Sequence, residues 1–298
     1  MMRFILPMLG AGAQEPAGKF DITEMIMHHL ADSPKWEGPF GIELGWQFAP
    51  VHLGPITLDF SITKHVLFMM ISAVLVMVLL IAAGRAAKRE HARGAERGPR
   101  GTANVVEAFI LYLRDEVALK NIGHGGEKYV PYVITLFFFI LFCNLLGLLP
   151  WGASPTGNVS VTAALALLTF IVIEVSGMLS LGPAGYAKTI FYIPHGVPTL
   201  MKPVMLIIMT PVELLGKLAK PFALTIRLYA NMTAGHAVVL AFTGMLVLAG
   251  IAGTVWVAPA PVLMAIGILL LEIFVAFLQA YIFAMLTSVF IGLIRHAH

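Results

Sequence analysis

Between His65 and Gly84 the chain carries almost no polar side chain, a run long enough to cross a hydrocarbon core that needs about 20 helical residues. Further apolar runs follow at 132–149, 161–181, 221–250 and 262–294. In lipid every backbone N–H and C=O has to be paired within the chain, so runs of this length dictate helices. An odd number of them places the two termini on opposite sides. Composition agrees: of 298 residues 59% are hydrophobic and 12% charged, with mean hydropathy +0.88, far from a soluble domain of ordinary make-up. The fold expected is an all-α membrane protein with about five main membrane helices, the last two forming a long tilted hairpin.

Residues 1–62 hold seven acids (Glu15, Asp21, Glu24, Asp32, Glu37, Glu43, Asp59) against Arg3, Lys19 and Lys35, and read as an extramembrane tail ahead of a membrane domain over 63–298. Arg3, the apolar stretch 4–9 and Ala11-Gly12-Ala13 suggest a short signal segment at 1–13, although a signal core usually runs to about 7–15 residues. Directly after the first run come Arg85, Lys88, Arg89, Arg93, Arg97 and Arg100. The positive-inside bias then puts this connection in the cytoplasm, the tail outside, and the C-terminal Arg295, His296 and His298 inside. The stretch 102–123 sets Val106, Phe109, Ile110, Leu113 and Val117 at helical spacing among Glu107, Arg114, Asp115, Glu116 and Lys120, the pattern of a helix at the cytoplasmic interface. Pro150 stops the second run. Pro194, Pro198, Pro203, Pro211 and Pro221 predict interruptions: a short helix at 203–218, a long one from 221, and a turn at 258–261 before the last.

Lipid topology accounts for the formal charge of +3, so nucleic acid is not expected as a partner. The single cysteine, Cys143, excludes an internal disulfide, and the ten scattered histidines lack the spacing of a metal site. Neither a phosphate-binding loop, an HExxH motif nor a nucleophile elbow is present, so no cofactor is expected and any coupling to nucleotide belongs to partners.

Ionisable groups at membrane depth cost roughly 2.5–3.5 kcal/mol each on insertion scales and call for an explanation. Arg227 is a permanent cation. It reads as functional or as a side chain snorkelling from a helix end near Lys217 and Lys220. Asn231, four residues on, shares its face. His236 lies nine residues further along, about 13 Å up the axis and half a revolution round it. Glu272 and Gln279, seven apart, share a face of the last helix. A histidine and a glutamate on neighbouring antiparallel helices can relay protons or simply form a buried structural pair; spacing leaves both open. Glu213 and Lys217 form an i,i+4 pair that is either helix support or the lining of an inner access route. Glu174, in the third run, reads as structural or cavity-facing, without a partner evident in sequence.

The stretch RLYANMTAGH (Arg227–His236) resembles the signature of the a subunit of F-type ATP synthases. The resemblance extends back through PVELLGKLAKPFALTIR, forward to LQAYIFAML, and to LRDEVALKNIG, NLLGLLP and TGNVSVT. It covers about residues 65–295, with Ala223 where a serine is common and Ala230 where a glycine is common. It implies a stator of the bacterial plasma (inner) membrane, standing beside a ring of c subunits with the b subunits of the peripheral stalk and the rest of the synthase as partners. Arg227 matches the essential arginine between two offset half-channels. Asn231, His236, Glu272 and Gln279 match positions along the outer route, and Glu213 one on the cytoplasmic side. Acid and imidazole occur in either order at the His236 and Glu272 positions, which favours a coupled pair, and His236 leans toward protons as the ion. A subunit of this kind is no enzyme by itself. The alternatives are an independent proton-coupled secondary transporter and a structural membrane anchor.

Overall fold

The computed structural model describes residues 21–34, 36–37, 43–45, 51–53, 56–58, 61–92, 102–149, 151–191, 201–251, 256 and 259–296. The possible signal segment at 1–13, the basic residues from 93 to 100 and His298 lie outside them.

In order, the chain forms α1 (Ile22–Leu30), the short strands β1 (Trp36–Glu37), β2 (Glu43–Leu44), β3 (Val51–Leu53) and β4 (Ile56–Leu58), and α2 (Lys64–Ala92). α3 (Thr102–Tyr112) runs into a π-helical stretch Leu113–Leu119 and a last turn Lys120–Ile122. Then come α4 (Val130–Gly147), α5 (Val159–Ile190), α6 (Lys202–Ile251) and α7 (Pro259–Arg295). Five helices are long and apolar enough to cross a membrane: Lys64–Ala86 of α2, α4, α5, Lys202–Leu248 of α6, and α7. The chain is a multi-pass α-helical membrane protein.

Two elements differ from the sequence expectation. The break expected between 218 and 221 is absent, and α6 runs unbroken for 50 residues through Pro211 and Pro221. Each proline removes one N–H from a ladder of nearly fifty, a local loss that the rest of a membrane helix outweighs. At about 75 Å, α6 is far longer than the roughly 30 Å of a hydrocarbon core. The turn expected over 258–261 falls partly outside the described residues, and Pro259 already opens α7, as proline suits a first helical position.

The third span, expected to end at Leu181, does change course there. Gly182 has φ 70 and ψ 166 inside α5, with Pro183 after it, a conformation that glycine adopts and other residues resist. Beyond the kink the helix resumes to Ile190.

Two compact units divide the chain. The first comprises the described residues up to Met77, Phe139–Asn158 and Leu228–Gln279; the second comprises Val78–Phe138, Val159–Arg227 and Ala280–His298.

In the first unit the N-terminal segment is folded. Asp21 caps α1 by accepting from Thr23 N at 2.8 Å, and Ile26 and Leu30 pack on Leu240 and Val247 of α6. β1 pairs antiparallel with β2, and β3 with β4. Trp36 donates to Trp151 O at 2.8 Å and meets the Phe68 ring edge-on at 5.9 Å. Asp32 pairs with His65 Nδ1 at 2.7 Å and accepts from Asn158 at 3.4 Å. Burial alone would raise the Asp32 carboxyl, but the hydrogen bonds and charge of His65, with the Thr63 hydroxyl, outweigh it and hold the group below the usual carboxylate range.

The second unit is closed by aromatic and C-terminal contacts. Leu113, Val117, Ala118 and Ile122 are fully buried, and Phe109 lies 5.3 Å from Phe137. The charged face of the π-helical stretch is exposed, with Lys120 and Glu116 paired at 2.7 Å; hydrogen bonding to Glu116 moves the Lys120 ammonium upward. Arg295 donates to Ser180 Oγ at 2.8 Å and His124 O at 3.0 Å, tying the end of α7 to the turn after Ile122.

Candidate functional site

In the first unit α6 and α7 bring together four of the residues singled out from sequence. Asn231 donates to Gln279 Oε1 at 3.1 Å, and Gln279 is 2% exposed. His236 Nδ1 faces Glu272 Oε1 at 3.9 Å, within ion-pair range but beyond a hydrogen bond. Its other ring nitrogen, Nε2, is bonded to the carbonyl of Gly147 at the end of α4. The ring is thereby oriented while Nδ1 keeps no hydrogen-bond partner. Gln279 Nε2 and Thr233 Oγ1 are likewise buried without one. Buried polar atoms left over in this way favour water, and a cavity of about 20 Å³ lined by His65, Thr233 and His236 has room for about one water molecule. Gly235 sits against the acid so closely that an added Cβ would run into Glu272 Oε1.

A polar lattice behind the site was not singled out from sequence. Asn144 is fully buried in α4 and donates to Ala276 O at 3.3 Å, while its Oδ1 accepts from Thr156 at 2.6 Å. Ser154 joins Thr156 at 2.8 Å and reaches Cys143 O at 3.4 Å. These side chains fix α4 and the segment after it to α7. Their signal was present in NLLGLLP and TGNVSVT, which carried the family resemblance without showing what the side chains do.

In the second unit the pairing differs from the sequence expectation. Lys217 does not bridge to Glu213, one turn away, but to Glu174 Oε2 at 3.3 Å. Tyr186 donates its hydroxyl to the same carboxylate, and the Lys217 ammonium lies 4.5 Å over the Tyr186 ring. Glu174 and Tyr186 are twelve residues apart, about 18 Å along an unbroken helix; the kink at Gly182 is what returns the tyrosine to the acid. Glu174, Lys217, Glu213 and Lys220 line a cavity of about 150 Å³ with Thr169 and Phe290. Among the described residues Glu213 makes no ion pair.

Arg227 belongs to the second unit and takes no part in its Glu174–Lys217 cluster. It is exposed, as are Ala223, Ile226, Ala230, Asn231 and Ala234, at three- and four-residue spacings that form one stripe of α6. Among the described residues no acid pairs with it. Nor does any group of three or more His, Cys, Asp or Glu side chains among them come together as a metal site.

A family model described as the ATP synthase A chain matches residues 66–292. Among similar proteins, ATP synthase subunit a 2 of Chlorobaculum tepidum is 43% identical over 286 residues, 95% of this chain and 74% of its own. ATP synthase subunit a of Myxococcus xanthus is 44% identical over 275 residues, covering 89% and 85% respectively. That of Anaeromyxobacter dehalogenans is 47% identical over 298 residues, covering 96% and 74%. An exposed intramembrane arginine, a histidine and acid facing each other beyond it, and this extent of likeness lead to one conclusion: the chain belongs to the ATP synthase A chain family.

Proposed function

We propose that this chain is the membrane stator of an F-type ATP synthase, passing protons to and from a ring of c subunits through two half-channels that do not meet. The observation that carries the reading is Arg227, exposed on a stripe that includes Ala223, Ala230 and Ala234, with no acid of its own chain against it among the described residues. Left facing lipid, such a cation is costly, and its guanidinium does not shed its proton. Its counter-charge therefore comes from another molecule, and Ala223, Ala230 and Ala234 let a neighbouring helix approach closely. A ring carboxylate passing this charge is held ionised by it. Having lost its proton to one half-channel, it can regain one only from the other, and ion flow then turns the ring.

Asn231, Gln279, His236 and Glu272 serve the outer route in this reading. The free Nδ1 of His236 and the Glu272 carboxyl exchange the proton, while the Gly147 carbonyl orients the ring. Glu213 serves the cytoplasmic route from its cavity. The N-terminal segment lies outside and the basic connection after α2 in the cytoplasm, across the inner membrane of a bacterium. The b subunits of the peripheral stalk and the remaining synthase subunits complete the assembly. Nucleotide chemistry resides in those partners, and this chain is no enzyme by itself. An independent transporter would have to neutralise Arg227 from within its own fold, and no described residue does so.

The test is Arg227→Ala in vesicles bearing the assembled complex. ATP-driven proton pumping is lost while ATP hydrolysis by the soluble sector persists; unchanged pumping refutes the reading.

A further inference from the structure

Glu213 and Lys217 have the spacing and order at which a glutamate and a lysine on one helix attract each other most favourably. Such a pair would favour the ionised form of the glutamate. The structure shows Lys217 bound elsewhere, and bound three ways: to the Glu174 carboxylate at 3.3 Å, to the Tyr186 hydroxyl at 3.4 Å, and over the Tyr186 ring at 4.5 Å. Lys217 is only 8% exposed. The other lysine of the cavity, Lys220, lies 4.8 Å over the ring of Phe290. From α7 the lining is Phe290, Leu293 and Ile294, all uncharged. The charged or titratable groups around Glu213 are thus Lys217, Lys220, Glu174 and Tyr186, and both cations are engaged away from it.

We infer that Glu174 and Tyr186 are positioning residues that hold Lys217 off Glu213, leaving Glu213 free to take up and release protons at the cavity. The inference rests on Glu213 serving the inner route. Glu174 and Tyr186 are set in place by the kink at Gly182, so the device is built from α5 and acts on α6. Removing the acid frees the Lys217 ammonium, whose nearest alternative is the carboxylate one turn back. A lysine drawn against that carboxylate favours its charged form over its protonated one, and proton exchange at the cavity slows.

ATP-driven proton pumping, measured across pH in vesicles bearing the assembled synthase and normalised to the amount of this chain in the complex, tests the idea. Glu174→Gln is expected to lower pumping roughly tenfold near neutral pH, with the deficit shrinking toward acid. Glu174→Gln combined with Lys217→Met removes the stray charge along with its partner, a replacement buried ion pairs often tolerate. It is expected to return pumping to within about twofold of the unmodified complex. Full pumping in Glu174→Gln, a deficit independent of pH, or a double variant as impaired as the single one each overturns the inference. If Glu174→Gln does not assemble, Tyr186→Phe keeps the ring under Lys217 but loses the hydroxyl, and a smaller shift of the same sign is expected; an unmoved profile overturns the idea. Glu213→Gln serves as reference: normal pumping there removes the inner-route reading itself, whereas impaired pumping there beside an unaffected Glu174→Gln removes only the present inference.

Discussion

In the first unit His236 and Glu272 face each other at 3.9 Å, with Nδ1 of the histidine uncommitted. In the second, Lys217 and Glu174 meet at 3.3 Å with a tyrosine hydroxyl closing the group. Both are intramembrane pairs of opposite polarity, yet they are built for different ends. In the first, Nδ1 of the histidine faces the carboxyl without a hydrogen bond of its own, beside a cavity of about 20 Å³. In the second, the ammonium has the carboxylate, the tyrosine hydroxyl and the ring face around it, so the ion pair is a fixed element. On the proposed reading, the pair that is near but not locked serves transfer and the locked pair serves as scaffold. Charge and burial alone do not separate the two.

The sharpest way to break this contrast is to disable the unlocked pair. His236→Ala and Glu272→Ala are each expected to cut ATP-driven pumping by about 100-fold, the lower end of what a positioned proton-transfer group contributes. His236→Glu combined with Glu272→His should recover a large part, since the two roles need an acid and an imidazole in contact and not in a set order. No recovery would mean that the orientation given by the Gly147 carbonyl matters more than the pairing.

A smaller effect is expected from Gly235→Ala. Its Cβ enters the space of the Glu272 carboxyl, and overpacking of this sort costs about 1–3 kcal/mol. Pumping per assembled complex should fall while the amount assembled changes little. Asn144→Ala should do the reverse. Thr156 and the Ala276 carbonyl each lose a partner, a loss of about 1–3 kcal/mol that thermal denaturation of the purified complex reads, with pumping per complex preserved.

Smallest is the pH dependence of the N-terminal segment. Asp32 has its carboxyl lowered from 3.8 in the folded chain, so the stability it contributes is fully present above that value and is lost as pH falls below it through the lowered value. Asp32→Asn should flatten this acid-side decline by lowering thermal stability at neutral pH slightly, as its side chain is 31% exposed, and leave the acid end nearly unchanged. An identical acid decline in the variant would show that the Asp32–His65 contact contributes nothing.

Much of the architecture was legible because lipid leaves the backbone few options. The apolar runs mark all five spanning helices, and the end expected at Leu181 coincides with the Gly182 kink. The break expected at Pro221 does not form because a proline's local cost is small against the length of α6. Glu174 showed no partner because Lys217 is 43 residues away, and the local alternative at i,i+4 looked sufficient. Tyr186 carried no signal at all, since its role exists only through the kink. Strands of two and three residues in the N-terminal segment are too short for periodicity to register.

The central claim concerns the missing counter-charge of Arg227, and an experimental structure of the whole synthase in lipid tests it most directly. The account requires the guanidinium to face a rotor helix, with a ring carboxylate in direct or water-bridged reach and with Ala223, Ala230 and Ala234 lining the contact. A guanidinium turned into lipid headgroups, or closed by an acid of its own chain, would contradict it.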